Sequence, residues 1–439
     1  MKESVYNYFV PYGERIICFN AVTAKVFSVS NLEYDGIKDF LNNPHRDFQH
    51  FDFFEKYGFI VGNDINEFDQ LLIKNRSAVF DSKFNLIINP TLQCNFNCWY
   101  CYEKNINGHM SVNTMNNIKL LLTKLVQEKK ISGLKLNWFG GEPLLNFYNV
   151  VYPLSLFAKE LMEKNNLSFT NSITTNGYYI DEKMIDHFKS IKLFSFQITL
   201  DGDKESHDKI RNQRGAPSFD KIISNIINLR NSIPEVFVRL RINYTDEIIS
   251  KNYEFILERF PPQVRRNMSV DFQRVWQTIK KIDSNKGEND ALLKAIETAN
   301  DLGYLVPLDG FYSIGKYNQC YVDRFYFAHI NFDGKVFKCT ARNYSEKYIC
   351  GELTNDGMIK WYNQNTRAEM HVKAHFDNEK CRVCKTLPLC VGPCYQAYLD
   401  YKNQETDNFC PQQFREISIE TFIINYYLKV KSNYLKHNG

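Results

Sequence analysis

No stretch of these 439 residues stays apolar long enough to span a bilayer. The start, Met1-KESVYNYFV, lacks the basic region, apolar run and cleavage site of a secretory signal. A cytoplasmic chain with no membrane partner is the expectation. An excess of one charge is missing too. Fifty-four Lys and Arg against 50 Asp and Glu leave a net charge of +4, with both signs interspersed, so nothing marks a nucleic-acid surface. No internal repeat or low-complexity tract stands out. Without export, twelve cysteines are better explained by metal ligation than by disulfides, because the cytosol keeps thiols reduced. Three lie at 94–101, Cys320 stands just ahead of a second group at 339–410, and only Cys18 is remote, reading as a small buried hydrophobe.

What is present is a long alternation. From about 84 to 277, apolar strand-like runs (Asn85-LIIN, Leu134-KLNWF, Ser168-FTNSITT, Leu193-FSFQITL, Val236-FVRLRIN, Val270-DFQRV) alternate with amphipathic helical stretches such as Val112-NTMNNIKLLLTKLVQ and Phe219-DKIISNIINL. Six such units predict an α/β fold, a partial (β/α)6 barrel of the TIM type whose chemistry lies at the strand C-termini. Ahead of it, residues 1–80 read as a small module: a hairpin in Tyr6-NYFVPYGERIICFN bending at Gly13, a helix in Leu32-EYDGIKDFL, and a short wing strand at Tyr57-GFIVG. Residues 278–316 read as a helical bridge around Asn289-DALLKAIETANDL. Residues 317–412 form a Cys-rich region in which metal replaces a hydrophobic core, and 413–439 close with a helix from Phe414.

The motifs sit at the ends of those strands. Cys94, Cys98 and Cys101 form CxxxCxxC in Thr91-LQCNFNCWYC. Three thiolates can hold a [4Fe–4S] cluster by three corners, and S-adenosylmethionine (SAM) can chelate the remaining iron and be cleaved by an electron from it. A zinc loop would want a fourth ligand nearby, for which His109 is the candidate. Phe139-GGEPLL follows the second strand, and Gly140 and Gly141 permit close backbone approach to a ligand. Thr174-TNG and Gln197-ITLDG end the next two strands, with Asn176 also suited to a turn. Arg211, in His207-DKIR, suits a carboxylate because guanidinium stays charged and binds it through two bonds. Downstream, the cysteines read C-x13-G-x4-C from Cys320 through Gly334 to Cys339, then C-x2-C-x5-C-x3-C over Cys381, Cys384, Cys390 and Cys394, then Cys410. Paired zinc sites are the alternative for that pattern.

Across about 84–412 the chain resembles radical SAM enzymes with a C-terminal SPASM domain. That resemblance implies three [4Fe–4S] clusters, one SAM-binding and two auxiliary. It places Tyr100 near the adenine, Gly140, Gly141 and Glu142 at the SAM amino group, Asn176 and Thr199 at other SAM contacts, and Arg211 on its carboxylate. By position, Cys381, Cys384, Cys390 and Cys410 would complete the outer auxiliary cluster. Cys320, Cys339 and Cys394 would bind the inner one, with water, a substrate thiolate or Cys350 as its fourth ligand. The first eighty residues resemble the winged-helix peptide-recognition element of enzymes that modify ribosomally made peptides; a simple cap on the barrel is the alternative. Sulfatase maturases of this architecture carry a basic Asp directly after the cysteine equivalent to Cys339 and open their cluster motif nearer the N-terminus. This chain has Thr340 at that position and about eighty residues first. The implied function is therefore a peptide maturase. It would hold a precursor's leader by strand addition in the N-terminal module and install a thioether or carbon–carbon crosslink. An auxiliary cluster would take up the electron released, and an external reductant such as flavodoxin or ferredoxin would supply the first. Formylglycine formation, and a non-catalytic iron–sulfur peptide-binding or electron-transfer role, remain the alternatives.

Overall fold

Side chains in a strand alternate between two faces, and in this chain one face of each central strand is apolar and the other largely polar. The computed structural model describes residues 1–438 except 104, 251–252, 279–288, 309, 318–319, 373 and 406–409. Six strands, β6 (Lys83–Ile88), β7 (Gly133–Trp138), β8 (Ser168–Thr175), β9 (Leu193–Leu200), β10 (Phe237–Tyr244) and β11 (Met268–Arg274), pair parallel in chain order. Their apolar faces (Leu86, Leu136, Ile173, Ile198, Leu240, Val270) are buried in one core under the connecting helices. Among these, α4 (Val112–Gln127) starts where Ser111 Oγ accepts the Thr114 N–H at 3.0 Å, and α6 (Glu182–Ser190) where Asp181 accepts from Met184 at 2.8 Å. Both are side-chain caps on otherwise orphaned N–H groups.

The barrel strands fall at the expected places, but the sheet does not stop at them. β12 (Phe327–Ile330), from the Cys-rich region, pairs parallel with β6, and β13 (Lys335–Phe337), β14 (Gly351–Leu353) and β15 (Ile359–Trp361) follow it antiparallel, making ten strands. Phe327, Ala328 and Ile330 are fully buried, so this region is anchored by an apolar strand as well as by its cysteines.

In the N-terminal region the hairpin forms as β2 (Asn7–Tyr12) and β3 (Arg15–Asn20), turning at Gly13 with φ +58°. A third strand, β4 (Val26–Ser30), pairs with β3, and α1 (Asn31–Asn42) follows a reciprocal Ser30/Glu33 cap. The strand expected as a wing, β5 (Ile60–Val61), pairs instead with β1 (Lys2–Glu3). Its register is fixed by burial of Phe59 and Ile60, which face Phe40, Phe54 and Cys18. Tyr6, Tyr8 and Phe19 share a core with Phe376, Leu389 and Phe422, so the first strands are packed on the Cys-rich region and the last helix. That helix begins at Ile419, five residues after Phe414. In the bridge a single helix, Asp290–Asp301, is seen among the described residues, and 279–288 lie outside them. No helix among the described residues is long and apolar enough to cross a membrane.

Candidate functional site

The loop after β6 holds its three cysteines around its own backbone. The Cys101 N–H donates to the Cys98 carbonyl at 3.0 Å, the Phe96 N–H donates to Cys94 Sγ at 3.4 Å, and the Cys94 N–H donates to Asn105 Oδ1 at 3.3 Å. Burial pushes the Cys94 thiol up to about 12, with Glu142 adding to it, and the Cys101 thiol to about 11; Cys98 raises both further. His109 is turned away, its Nδ1 2.7 Å from Asn146 Nδ2. Among the described residues no three His, Cys, Asp or Glu side chains gather around a point fit for a single ion.

The glycines of Phe139-GGEPLL serve this loop directly. A Cβ on Gly141 would meet the Gln93 carbonyl at 2.1 Å, and one on Gly140, at φ +88°, would meet that of Thr91 at 2.6 Å. Their smallness therefore lets the second strand end lie against the cysteine loop, a closer reason than approach to a ligand. Glu142 is fully buried and accepts from Leu144 N–H at 2.9 Å, Thr175 Oγ1 at 2.8 Å and Asn176 N–H at 2.8 Å. Burial raises its pKa while those three bonds hold it down. It thereby fixes the turn after β8, from which Asn176 Nδ2 reaches Asn95 Oδ1 at 2.7 Å.

Across the barrel, Tyr100, Asp201 and Arg211 meet. Tyr100 donates to Asp201 Oδ2 at 2.5 Å and accepts from Arg211 Nη1 at 2.7 Å and Asn243 Nδ2 at 3.0 Å. Asp201 is fully buried and burial raises its pKa, against the pull of Arg211. Burial disfavours the Arg211 charge, but Cys98, Tyr100 and Asp201 outweigh it and hold its pKa well above the ordinary value. His207 holds the turn beneath: its Nδ1 accepts the Asp201 N–H at 3.2 Å and Nε2 lies 2.9 Å from Ser218 Oγ, while burial keeps it neutral. Thr199 is buried one turn of the pleat before Asp201. Asn243, Asp201 and His207 in these roles had no signal in the sequence beyond the strand ends on which two of them lie.

These residues fit a three-cysteine cluster with SAM. The Asn95 Nδ2, Asp201 Oδ1 and Arg211 Nε atoms are buried with no hydrogen-bond partner, which is costly unless a polar group comes to meet them. The thiols are unpaired, Cys94 and Cys98 half-buried and Cys101 exposed, and metal binding to such thiols displaces their protons.

Two sets of downstream cysteines act on one another electrostatically. Cys339 and Cys394 raise the pKa of Cys320, which burial takes to about 12, and Cys390, Cys384 and Cys410 raise that of Cys381, which burial takes to about 11. Backbone N–H groups point at the sulfurs of the first set: Ala341 to Cys339 at 3.3 Å and Ala397 to Cys394 at 3.4 Å. Such bonds tune iron–sulfur centres. Cys350 lies within electrostatic reach of Cys339 and Lys338, with its Sγ 3.5 Å from the Tyr348 carbonyl.

Between the first cysteine loop and the Cys320 group lies a cavity of about 650 Å³. The polar faces of β6 to β10 line one side, through Asn137, Thr174, Gln197 and Arg241 among others, and Tyr321, Thr340 and Arg342 line the other. The Tyr321 hydroxyl is hydrogen-bonded to that of Thr340. No Asp or Glu is among its lining residues.

Residues 88–256 match the Radical SAM superfamily. A cysteine-type anaerobic sulfatase-maturating enzyme of Clostridium novyi (strain NT) is 26% identical over 365 residues, covering 75% of this chain and 93% of that one. The radical SAM cyclopropyl synthase TigE of Paramaledivibacter caminithermalis is 27% identical over 176 residues, 36% of each chain. In fold, the chain is similar to native anSMEcpe with bound AdoMet and Cp18Cys peptide, at a TM-score of 0.52 and 18% identity over 80% of this chain and 98% of that one. Residues 88–256 thus constitute a radical SAM superfamily domain, with Cys94, Cys98 and Cys101 on the loop after its first strand.

Proposed function

We propose that the chain is a radical SAM peptide maturase that crosslinks a ribosomally made precursor through a thioether or a carbon–carbon bond. The observation that carries this reading is the cavity set between the Cys94/Cys98/Cys101 loop and the Cys320/Cys339/Cys394 group, with no carboxylate in its lining. Bound together, a cluster on the first three cysteines and SAM supply a 5′-deoxyadenosyl radical by one-electron cleavage of the sulfonium. The protein's part is positional. Glu142 and the two glycines fix the loop, Tyr100, Asp201, Asn243 and Arg211 form the polar wall that meets SAM, and the cavity holds a peptide side chain at reacting distance. Two auxiliary clusters, on Cys320/Cys339/Cys394 and on Cys381/Cys384/Cys390/Cys410, complete the cofactor set, fed by a flavodoxin or ferredoxin. A cytosolic setting, which keeps thiols open to metal, suits twelve unpaired cysteines.

The division of the chain follows: 1–80 a winged-helix-like module, 84–277 the catalytic core, 278–316 a bridge, 317–412 a SPASM domain, and 413–439 a closing helix. The leader would add as a strand to the β2–β3–β4 sheet, whose outer strands end it on either side.

Formylglycine formation is the second reading, favoured by the likeness to sulfatase-maturating enzymes over three quarters of the chain. Against it stands Thr340, whose hydroxyl is occupied by Tyr321 where those enzymes need a basic carboxylate. Co-expression with candidate precursor peptides, followed by mass spectrometry, separates the two. A crosslink removes two hydrogens and leaves a fragmentation gap between the joined residues. Conversion of a cysteine to an aldehyde, with loss of sulfur, would establish the other reading.

A further inference from the structure

The cavity is charged in one sense only. Arg239, Arg241 and Arg342 line it, and Asp, Glu, Lys and His do not. Arg239 and Arg241 stand two residues apart on β10 and so project from the same face; Arg342 enters from the Cys-rich side. Two of the three have acidic neighbours outside the lining. Arg342 Nη2 donates to Asp400 at 2.6 Å, and Arg239 Nη1 lies 3.9 Å from Asp271. No carboxylate lies within 4 Å of the Arg241 guanidinium among the described residues: its Nε donates to the Asn243 side-chain oxygen at 2.9 Å, and its charge acts at longer range on buried Asp201, whose pKa it lowers. The rest of the lining is neutral, with Asn137, Thr174 and Gln197 on the barrel side and the rings of Tyr102, Phe196 and Trp276 around them. With no carboxylate of the described residues in hydrogen-bonding reach, the Arg241 guanidinium is suited to a planar anion that it can meet with two parallel N–H bonds. The volume lies in the small-ligand range, room for a side chain or a chain end and too little for a folded segment.

We propose that this cavity is a carboxylate-binding site, in which Arg241, flanked by Arg239 and Arg342, receives an anionic group of the peptide substrate. The inference rests on the peptide-maturase reading for its substrate, and narrows it to peptides that place an Asp or Glu side chain, or a free C-terminus, beside the residue to be modified. Recognition of this kind rejects the uncharged amide isostere, because the site's buried donors are then left unpaired.

The test uses the reconstituted, SAM-loaded protein under anaerobic conditions, titrated calorimetrically with four small probes. N-acetylglutamate α-amide against N-acetylglutamine amide reports a side-chain carboxylate, and N-acetylalanine against its amide reports a chain terminus. We expect one of the acids to bind about tenfold or more tightly than its amide, a preference of the size one charged hydrogen-bonded contact provides. The preference should vanish in Arg241→Gln, survive in part in Arg241→Lys, and weaken with added salt, while SAM affinity is unchanged in all three proteins. Absence of saturable binding by both acids, equal binding of acid and amide, a preference that persists in Arg241→Gln, or a loss of SAM affinity in that variant would overturn the proposal. Measuring 5′-deoxyadenosine in the same samples keeps the two readings apart. Acid binding without any SAM cleavage would sink the maturase reading and leave the site standing; cleavage without acid preference would sink the site alone.

Discussion

The same barrel strands build two layers of opposite character. At their C-terminal ends, opposite charges sit together: Glu142 accepts three donors, and Arg211 and Asp201 share the Tyr100 hydroxyl, with Asp201 Oδ1 and Arg211 Nε left without a partner. One pleat lower, in the cavity, Arg241 has no carboxylate within 4 Å among the described residues, and the Thr174 and Gln197 side chains make no hydrogen bond to another described residue. The upper layer is organised before anything binds, as a fixed cofactor requires. The lower layer keeps its bonding capacity for an incoming group, as a variable substrate requires.

Removing the three cysteines of the loop after β6 should have the largest effect. Replacing Cys94, Cys98 and Cys101 together with Ala should abolish SAM cleavage while iron bound at the downstream cysteines remains, read by iron analysis and Mössbauer spectra. Complete loss of iron would mean that the two cysteine regions do not hold metal independently. Next comes the buried pair. Arg211→Leu strands Asp201 without its partner, and breaking such a pair destabilises by about 3–5 kcal/mol, measurable by denaturant unfolding. Arg241→Leu, by contrast, should cost less, about 1–2 kcal/mol, since the buried partner it strands is the neutral Asn243 side-chain oxygen rather than a charge. Similar losses in both variants would erase the contrast between layers.

Glu142→Gln is expected to cost about 2 kcal/mol, the scale of a charged hydrogen bond in a buried site, and to loosen the turn at Asn176; a stability within error of wild type would show that the carboxylate is not what fixes it. A further effect is on pH. Burial lowers His329 to about 3 and holds His207 well below its usual value. A histidine depressed in the folded state contributes full stability above its unfolded pKa near 6.5 and loses it as pH falls toward the folded value, by about 1.4 kcal/mol per pH unit for each such group. Apparent melting temperatures should therefore drop between pH 6.5 and 5, less so in His207→Asn, whereas a flat profile would mean these rings are open to water.

How much of this was legible follows from the kind of signal each feature leaves. The six barrel strands announce themselves because Leu86, Leu136, Ile198 and Leu240 recur at every second position between turns. β4 does not, because all five of its residues are partly exposed and Val26-FSVS shows no clean alternation. The cysteines of the loop after β6 stand out in the sequence because their spacing is local, all three lying within eight residues. The Tyr100, Asp201, Arg211 and Asn243 junction was not, since it joins residues more than 100 positions apart. Arg239 and Arg241 on a strand read naturally as a solvated face, and only the cavity they line in the folded chain sets them apart.

The central claim is that the Cys94, Cys98 and Cys101 loop supports reductive cleavage of SAM. Reconstituted protein incubated anaerobically with SAM and dithionite should form 5′-deoxyadenosine and methionine, more so with a precursor peptide, and none in the triple Cys→Ala variant. Absence of 5′-deoxyadenosine from the reconstituted wild type, with and without peptide, would contradict it.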